Sequence, residues 1–428
     1  MNTDNSSCVL ANSVSQILHD EIILSQIRSL SSFIPSNQHI YEVSTRLCQD
    51  ALHFQFKKSD ICTKDLTWLG FIDKLWSHLL DPDRCMDVFH YYENGWNPQV
   101  FHWPLWSRNS YFFEILKRDE LWLNEWINPL LAGANYAPMT TPLTEYNMSD
   151  TKGFNKKILS NNFSPRLSFP QTLHLRDDRV MHVYHFFVLH MATSRTVLPR
   201  NLHQIIEYGG GTGDNIPMLR EMGFKGLHVV FDFMPMLIVH QFFLRISHWP
   251  AYYADDFTSE TLDGRKTLLV SCDEGVSRLT SLLDHSSTLS ASAAAAQSTL
   301  FLATWSLSET SLDVREKVLR QVIDYGVKYI LLVFQRFHGD RSLDNCNWAK
   351  DLANTLYNEH GYEVCSWRIV ERDDGHFYFI AVKMKTMIPV DKDTNTAEDD
   401  YLVCSAAVGC SKDSLFIVST RCKILGEE

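Results

Sequence analysis

Apolar residues recur at three- and four-residue spacings through the first third of the chain. In SVSQILHDEIILSQIRSLSSF, Ile17, Leu18, Ile22, Leu24, Ile27 and Leu30 share a stripe, and LTWLGFIDKLWSHLL repeats the pattern with larger side chains. Both segments predict amphipathic helices. RDDRVMHVYHFFVLHMATSRTVL predicts another, directly ahead of residue 205. From Leu202 the rhythm changes to short β-branched or aromatic runs: HQIIEY, LHVVFD, STLFLATW, KYILLVFQ, YEVCSWRIV and FYFIAVKM. Helical stretches such as SLDVREKVLRQVIDYG and NCNWAKDLANTLYNEHG separate several of them, which predicts βαβ units and a mostly parallel sheet. Too few residues lie between the last two runs for a crossover helix, so those strands are expected to be antiparallel neighbours.

The intervening segments punctuate this plan. Residues 138–170, rich in Thr, Asn, Ser and Pro, read as a long connecting loop. Aromatic residues crowd the stretch from Tyr91 to Trp126, either as the core of a helical subdomain or as the wall of a substrate cavity. Residues 286–298 are a low-complexity insert, and a polar linker after 386 leads to a terminal appendage. The expected domains are a mainly helical unit over 1–165 (lid, substrate or dimerisation element), an α/β unit over 166–386, and the appendage over 387–428.

Charge and cysteine usage narrow the partners. A formal net charge of −12 disfavours a duplex nucleic-acid or anionic-membrane surface, both of which need clustered positive charge. The ten cysteines form no CxxC pair and no zinc spacing, so they read as reduced, buried small hydrophobes. No signal-peptide pattern and no apolar run of about 18 residues is present, and the expected location is the cytoplasm.

The densest chemical signal is IIEYGGGTGDNIPML, residues 205–219, in which a strand meets a helix through a glycine turn. A dinucleotide turn of the form G-x-G-x-x-G would place its third glycine at Asp214, an acid that repels a pyrophosphate. The spacing present is Gly209-x-Gly211-x-Gly213, preceded by Glu207. This suits a ligand that is cationic or uncharged at that point, and S-adenosylmethionine carries a sulfonium and an ammonium. Asp232 closes the next strand 19 residues after Gly213, close to the ~20 at which an acid meets the ribose hydroxyls.

IIEYGGGTGD with VVFD resembles motif I and the ribose acid of the class I S-adenosylmethionine-dependent methyltransferases, and the strand order from about 170 to 385 is similar to their seven-stranded, Rossmann-like sheet with an antiparallel last pair. VVFDFMPMLIVHQFFLR with FLATWSLSET is more loosely similar to a sugar O-methyltransferase group. The resemblance implies that Glu207 lies near the methionine amine, that Gly209, Gly211 and Gly213 permit close backbone approach, and that Asp232 takes the ribose. Phe233, beside that acid, and Thr304, at the end of FLAT, join the implied cofactor-binding set. The adenine acid is Asp255, from YYADDF, or Asp273, from LLVSCDEG.

Methyl transfer to a hydroxyl benefits from a general base. Ligand sites in such sheets lie beyond the strand carboxyl ends, which selects Glu309 after ATWSLS and His338 after VFQRF as candidates. Glu309 reads equally as a helix N-terminal acid and His338 as a solvated loop histidine. His174, His182, His185 and His190 sit just upstream. His182 and His185 are one turn apart, but without a third ligand no metal is expected. The leading reading is methylation of a small-molecule acceptor, with S-adenosyl-L-methionine as cofactor, no nucleic-acid or membrane partner, and a homodimer through the N-terminal helices. The alternatives are a non-catalytic scaffold on a degenerate fold and a protein or nucleic-acid methyltransferase.

Overall fold

A computed structural model describes residues 37–54, 66–86, 116, 125–126, 129, 143–147, 172–211, 213, 215–246, 249, 251–256, 267–272, 298–337, 344–368 and 376–384. The predicted helix over 13–33, most of the aromatic stretch, the low-complexity insert up to 297 and the appendage over 387–428 lie outside the described residues. Asn37–His53 (α1), Leu66–Leu80 (α2) and the short Pro82–Cys85 (α3) come first. Leu143–Asn147 (β1) and Thr172–Arg176 (β2) then pair antiparallel. β1 corrects the reading of 138–170 as a loop: its polar sequence, LTEYN, carries little period, and its partner strand lies some 29 residues on (Leu143 with Arg176 to Asn147 with Thr172).

Asp177–Ala192 (α4) leads into the main sheet, whose strands are Gln204–Tyr208 (β3), Leu227–Asp232 (β4), Ala251–Tyr253 (β5), Thr267–Ser271 (β6), Thr299–Thr304 (β7), Tyr329–Gln335 (β8), Tyr362–Arg368 (β9) and His376–Lys383 (β10). Asn215–Glu221 (α5), Met234–Ile246 (α6), Leu312–Asp324 (α7) and Asn345–His360 (α8) connect them. The order across the sheet is β5-β6-β4-β3-β7-β8-β10-β9. Among the described residues the sheet therefore has eight strands where seven were expected. The extra one, β5, is a three-residue edge strand parallel to β6, too short to register as a periodic run. β10 runs antiparallel to both β8 and β9, so only this strand opposes the rest.

Both faces of the sheet are covered, which is why every residue of β3 and β7 is buried, without alternation. Successive residues nevertheless point to opposite faces. Ile205, Leu300, Leu302, Leu331, Val333 and Tyr378 pack with α4 and α5 on one side. Ile206, Phe301, Ala303, Leu332 and Phe379 pack with α7 and α8 on the other. α8 is capped as its sequence directs: the Asp344 carboxylate accepts from the Cys346 N–H at 2.9 Å, and Gly361 ends the helix at φ 67°.

Among the described residues, the N-terminal helices α1 and α2 pack on α6. Val43 and Leu47 of α1 and Ile72 and Leu75 of α2 join Leu237, Val239 and Phe242 of α6 in a third cluster. Asp50 anchors the join, accepting from Arg245 Nη1 at 2.6 Å and from the Tyr253 hydroxyl at 3.3 Å. Cys48 and Cys85 form a disulfide between α1 and α3. This corrects the reading of all ten cysteines as reduced thiols: a 37-residue separation carries no spacing signature, and the pairing follows from where the two helices pack. Among the described residues no helix is long and apolar enough to cross a membrane.

Candidate functional site

At the carboxyl end of β3 the chain turns through Gly209, Gly210 and Gly211 toward the start of α5. Gly209 and Gly211 hold φ at 74° and 60°, in the left-handed region that disfavours any side chain. They serve different ends. A Cβ on Gly209 would lie 2.1 Å from Cβ of Ser306, so this residue is bare because the turn after β7 fills its place. The Ser306 hydroxyl also donates to the Tyr208 carbonyl, locking the two turns together. A Cβ on Gly211 would meet nothing within 4 Å among the described residues, so this position is open on their side. The turn is closed by the Gly213 N–H donating to the Gly210 carbonyl at 2.9 Å.

Glu207 is buried within β3, and both its oxygens are engaged. Asn215 Nδ2 donates to Oε1 at 2.6 Å and His228 Nε2 to Oε2 at 2.8 Å. Burial alone would push its carboxyl up, but the hydrogen bonds and charge of His228, with Asn215, hold it below the usual carboxylate range. Its partners come from the first turn of α5 and from β4, so the acid ties three elements around the glycine turn. The resemblance implied a place near a ligand amine; the bonds to Asn215 and His228 fix the acid beside the glycine turn.

Asp232 ends β4 beside that turn, 8% exposed, and accepts from the Phe233 N–H at 2.8 Å. Burial is the largest influence on its carboxyl, opposed by backbone donors from Phe233, Gly211 and Gly210 and reinforced by the charge of Glu207; the net effect pushes it up to about 7. His240 of α6 donates through Nε2 to the Gly211 carbonyl, with the Asp232 carboxylate 3.7 Å away. Phe233 is half-buried next to the acid.

On the other side of the glycine turn, β7 ends at the buried Thr304. Trp305 follows at φ 64°, a left-handed conformation worth of order 1–3 kcal/mol of strain in a non-glycine residue. It is held there by its N–H donating to the Val333 carbonyl at 2.6 Å. Glu309 sits in the short turn Leu307–Glu309, and its charge counteracts the burial that pushes the nearby Arg315 down to about 10. Arg315 in turn donates to the carbonyls of Ser308 and Thr310 and to Asn345 Oδ1. Glu309 thus contributes to a structural cluster behind the β7 turn.

Glu207, Gly209, Gly211, Gly213, Asp232, Phe233 and Thr304 lie at or just beyond the carboxyl ends of the adjacent parallel strands β3, β4 and β7. Asp255 lies in the turn after the edge strand β5, two strands from β4. β6, the direct neighbour of β4, leads toward Asp273, which with His338 and Asp214 lies outside the described residues. Sequence reasoning missed His228, Asn215, His240 and Trp305. His228 and His240 are single polar residues inside apolar runs, and Asn215 and Trp305 stand next to a turn with no spacing to mark them. Of the upstream histidines, His174 lies in β2. His190 Nδ1 bonds the Val197 carbonyl at 2.9 Å, and His185 Nδ1 shares a hydrogen bond of 2.9 Å with the Tyr378 hydroxyl. No group of three His, Cys, Asp or Glu suited to a metal ion occurs among the described residues.

No family model and no curated relative matches the sequence. Solved structures with a similar chain trace include magnesium protoporphyrin IX methyltransferase from Synechocystis PCC 6803 with bound SAM, at 13% identity over 55% of this chain and 98% of that one, TM-score 0.30. Mitomycin 7-O-methyltransferase matches at 12% identity over 48% of this chain and 56% of that one, TM-score 0.25. LepI in complex with SAM matches at 12% over 89% and 100%, TM-score 0.26.

Proposed function

We propose that this chain is an S-adenosylmethionine-dependent methyltransferase of the class I type, acting on a hydroxyl of a small-molecule acceptor. The observation that carries the reading is the pairing of an open left-handed glycine, Gly211, with a buried carboxylate at the end of the next strand, Asp232. The pair fits the cofactor chemically. A bare backbone lets a large ligand approach closely, and a carboxylate with its second oxygen turned to the turn can accept from two ribose hydroxyls.

Gly209 to Gly213 would cradle the ligand and Asp232 would orient it, with Phe233 and Thr304 on either side. Asp273, by its place after the strand beside β4, or Asp255 would take the adenine. Glu207 keeps the cradle in shape through Asn215 and His228. When bound, S-adenosylmethionine supplies an electrophilic methyl carbon on a sulfonium and departs as a neutral thioether. The chain's own part is to fix the two reactants in line and to take the acceptor's proton. Glu309 and His338 are the sequence's candidates for that proton. The negative net charge favours a small acceptor over nucleic acid. Calorimetry on the purified chain tests the reading: saturable binding of S-adenosylhomocysteine with no binding of NAD supports it, and binding of neither returns the chain to a non-catalytic scaffold.

A further inference from the structure

The proton acceptor can be sought from the geometry of α4. Glu207 of β3 pairs with Leu302 of β7, so Thr304 stands level with Gly209. Thr304 pairs with Val333, and Val333 with Tyr378. The Tyr378 hydroxyl, hydrogen-bonded to His185, therefore belongs to the level of the glycine turn. α4 runs against β3: its far end, at His190, bonds Val197 and feeds the turn that opens β3. His182 lies three residues before His185, about 4.5 Å further along the axis, which places it past the strand carboxyl ends. Its ring centroid is 5.7 Å from that of His185, and it is half-buried where His185 is buried.

Trp305 completes the group. Its indole lies 5.4 Å from the His185 ring, and its backbone is the strained residue of the β7 turn that also abuts Gly209. Across the glycine turn stands Asp232, on β4. The sheet order β4-β3-β7 thus separates a carboxylate side, suited to ribose, from an aromatic and imidazole side, suited to a second reactant.

Resting on the methyltransferase reading, we infer that His182 is the general base for the acceptor, and that His185, held by Tyr378 and Trp305, is its positioning residue. The acceptor is a hydroxyl on a ring, whose face the Trp305 indole receives. The hydroxyl proton passes to a ring nitrogen of His182 as the oxygen lone pair forms the new bond to the methyl carbon. The carbon–sulfur bond breaks with its electron pair remaining on sulfur, and the imidazolium returns its proton to solvent.

The test uses the full chain and two readouts. Diethylpyrocarbonate modification followed by peptide mapping is expected to label His182 at least tenfold faster than His185 and His190; equal or slower labelling of His182 overturns the proposal. In parallel, the wild type and the His182→Gln and Glu309→Gln variants are incubated with methyl-tritiated S-adenosylmethionine and a low-molecular-weight metabolite fraction. His182→Gln is expected to bind S-adenosylhomocysteine within twofold of wild type while label transfer falls roughly 10²–10⁴-fold, and imidazole is expected to restore part of it in His182→Ala. Full transfer in His182→Gln, or the large loss at Glu309→Gln instead, overturns it. Tyr378→Phe should lower kcat with KM and cofactor affinity unchanged, which a purely structural tyrosine would not do. Failure of the wild type to bind S-adenosylhomocysteine would sink the underlying methyltransferase reading, and binding without label transfer would sink its small-molecule acceptor; the labelling experiment reports on His182 in either case.

Discussion

Replacing Asp232 by asparagine should make the free protein more resistant to alkaline pH and a poorer binder of its cofactor. The carboxyl is pushed up to about 7 by burial, against about 3.9 in an unfolded chain. The folded state therefore holds the proton more tightly. The stabilisation this gives is full below about pH 3.9 and is lost as the pH rises through about 7. Applied to these two values, linkage gives a loss of roughly 2–3 kcal/mol between pH 5 and pH 8. The amide introduced by Asp232→Asn would keep an oxygen for the Phe233 N–H but would not ionise, so that loss should vanish in the variant. The cofactor should reverse the order: removal of two charge-assisted hydrogen bonds to ribose is expected to weaken S-adenosylhomocysteine binding at least tenfold at pH 8. Urea unfolding of the free wild type and variant at pH 5, 6, 7 and 8, with calorimetry at pH 8, measures both. Parallel stability curves would refute the buried-carboxylate account, and unchanged affinity would remove Asp232 from the binding site.

Three further outcomes follow from the same region. Gly211→Val should abolish S-adenosylhomocysteine binding in a thermal-shift assay while circular dichroism stays native, since φ is 60° and the space beside it is open; retained binding would place the cofactor elsewhere. Gly209→Ala should destabilise the fold itself, because its Cβ would collide with Ser306, and the double variant with Ser306→Gly should recover part of the loss; no recovery would contradict the interlocked turns. Glu207 titrates below its usual range, so its contribution is present above about pH 4.3 and lost as the pH falls through its lower folded value. Glu207→Gln should remove that part of the acid unfolding, seen as a shallower pH dependence of Tm below about pH 4.3.

What could be read from the sequence was what local pattern encodes. Gly209, Gly211 and Gly213 announced a turn because only glycine sits easily at positive φ, and the buried strands announced themselves as apolar runs. The reversed last pair followed from the short link between YEVCSWRIV and HFYFIAVKM. What escaped was set by contacts distant in sequence. Nothing in the sequence ties Glu207 to its partners Asn215 and His228, which lie on two other elements. Asp50 was an ordinary helix acid until α6 brought Arg245 to it. β1 and β5 are held by neighbours, not by their own period.

The docking of α1 and α2 on α6 also has a consequence for how the chain is made. Asp50 and Arg245 are 195 residues apart, so the apolar faces of the first helices leave the ribosome long before their partner exists. At about 5–20 residues per second that delay is roughly 10–40 s, far longer than the microseconds a helix needs to form. During synthesis the nascent N-terminal helices carry Val43, Leu47, Ile72 and Leu75 uncovered. Production of the intact protein should therefore depend on a chaperone that shields an amphipathic helix pair until α6 emerges.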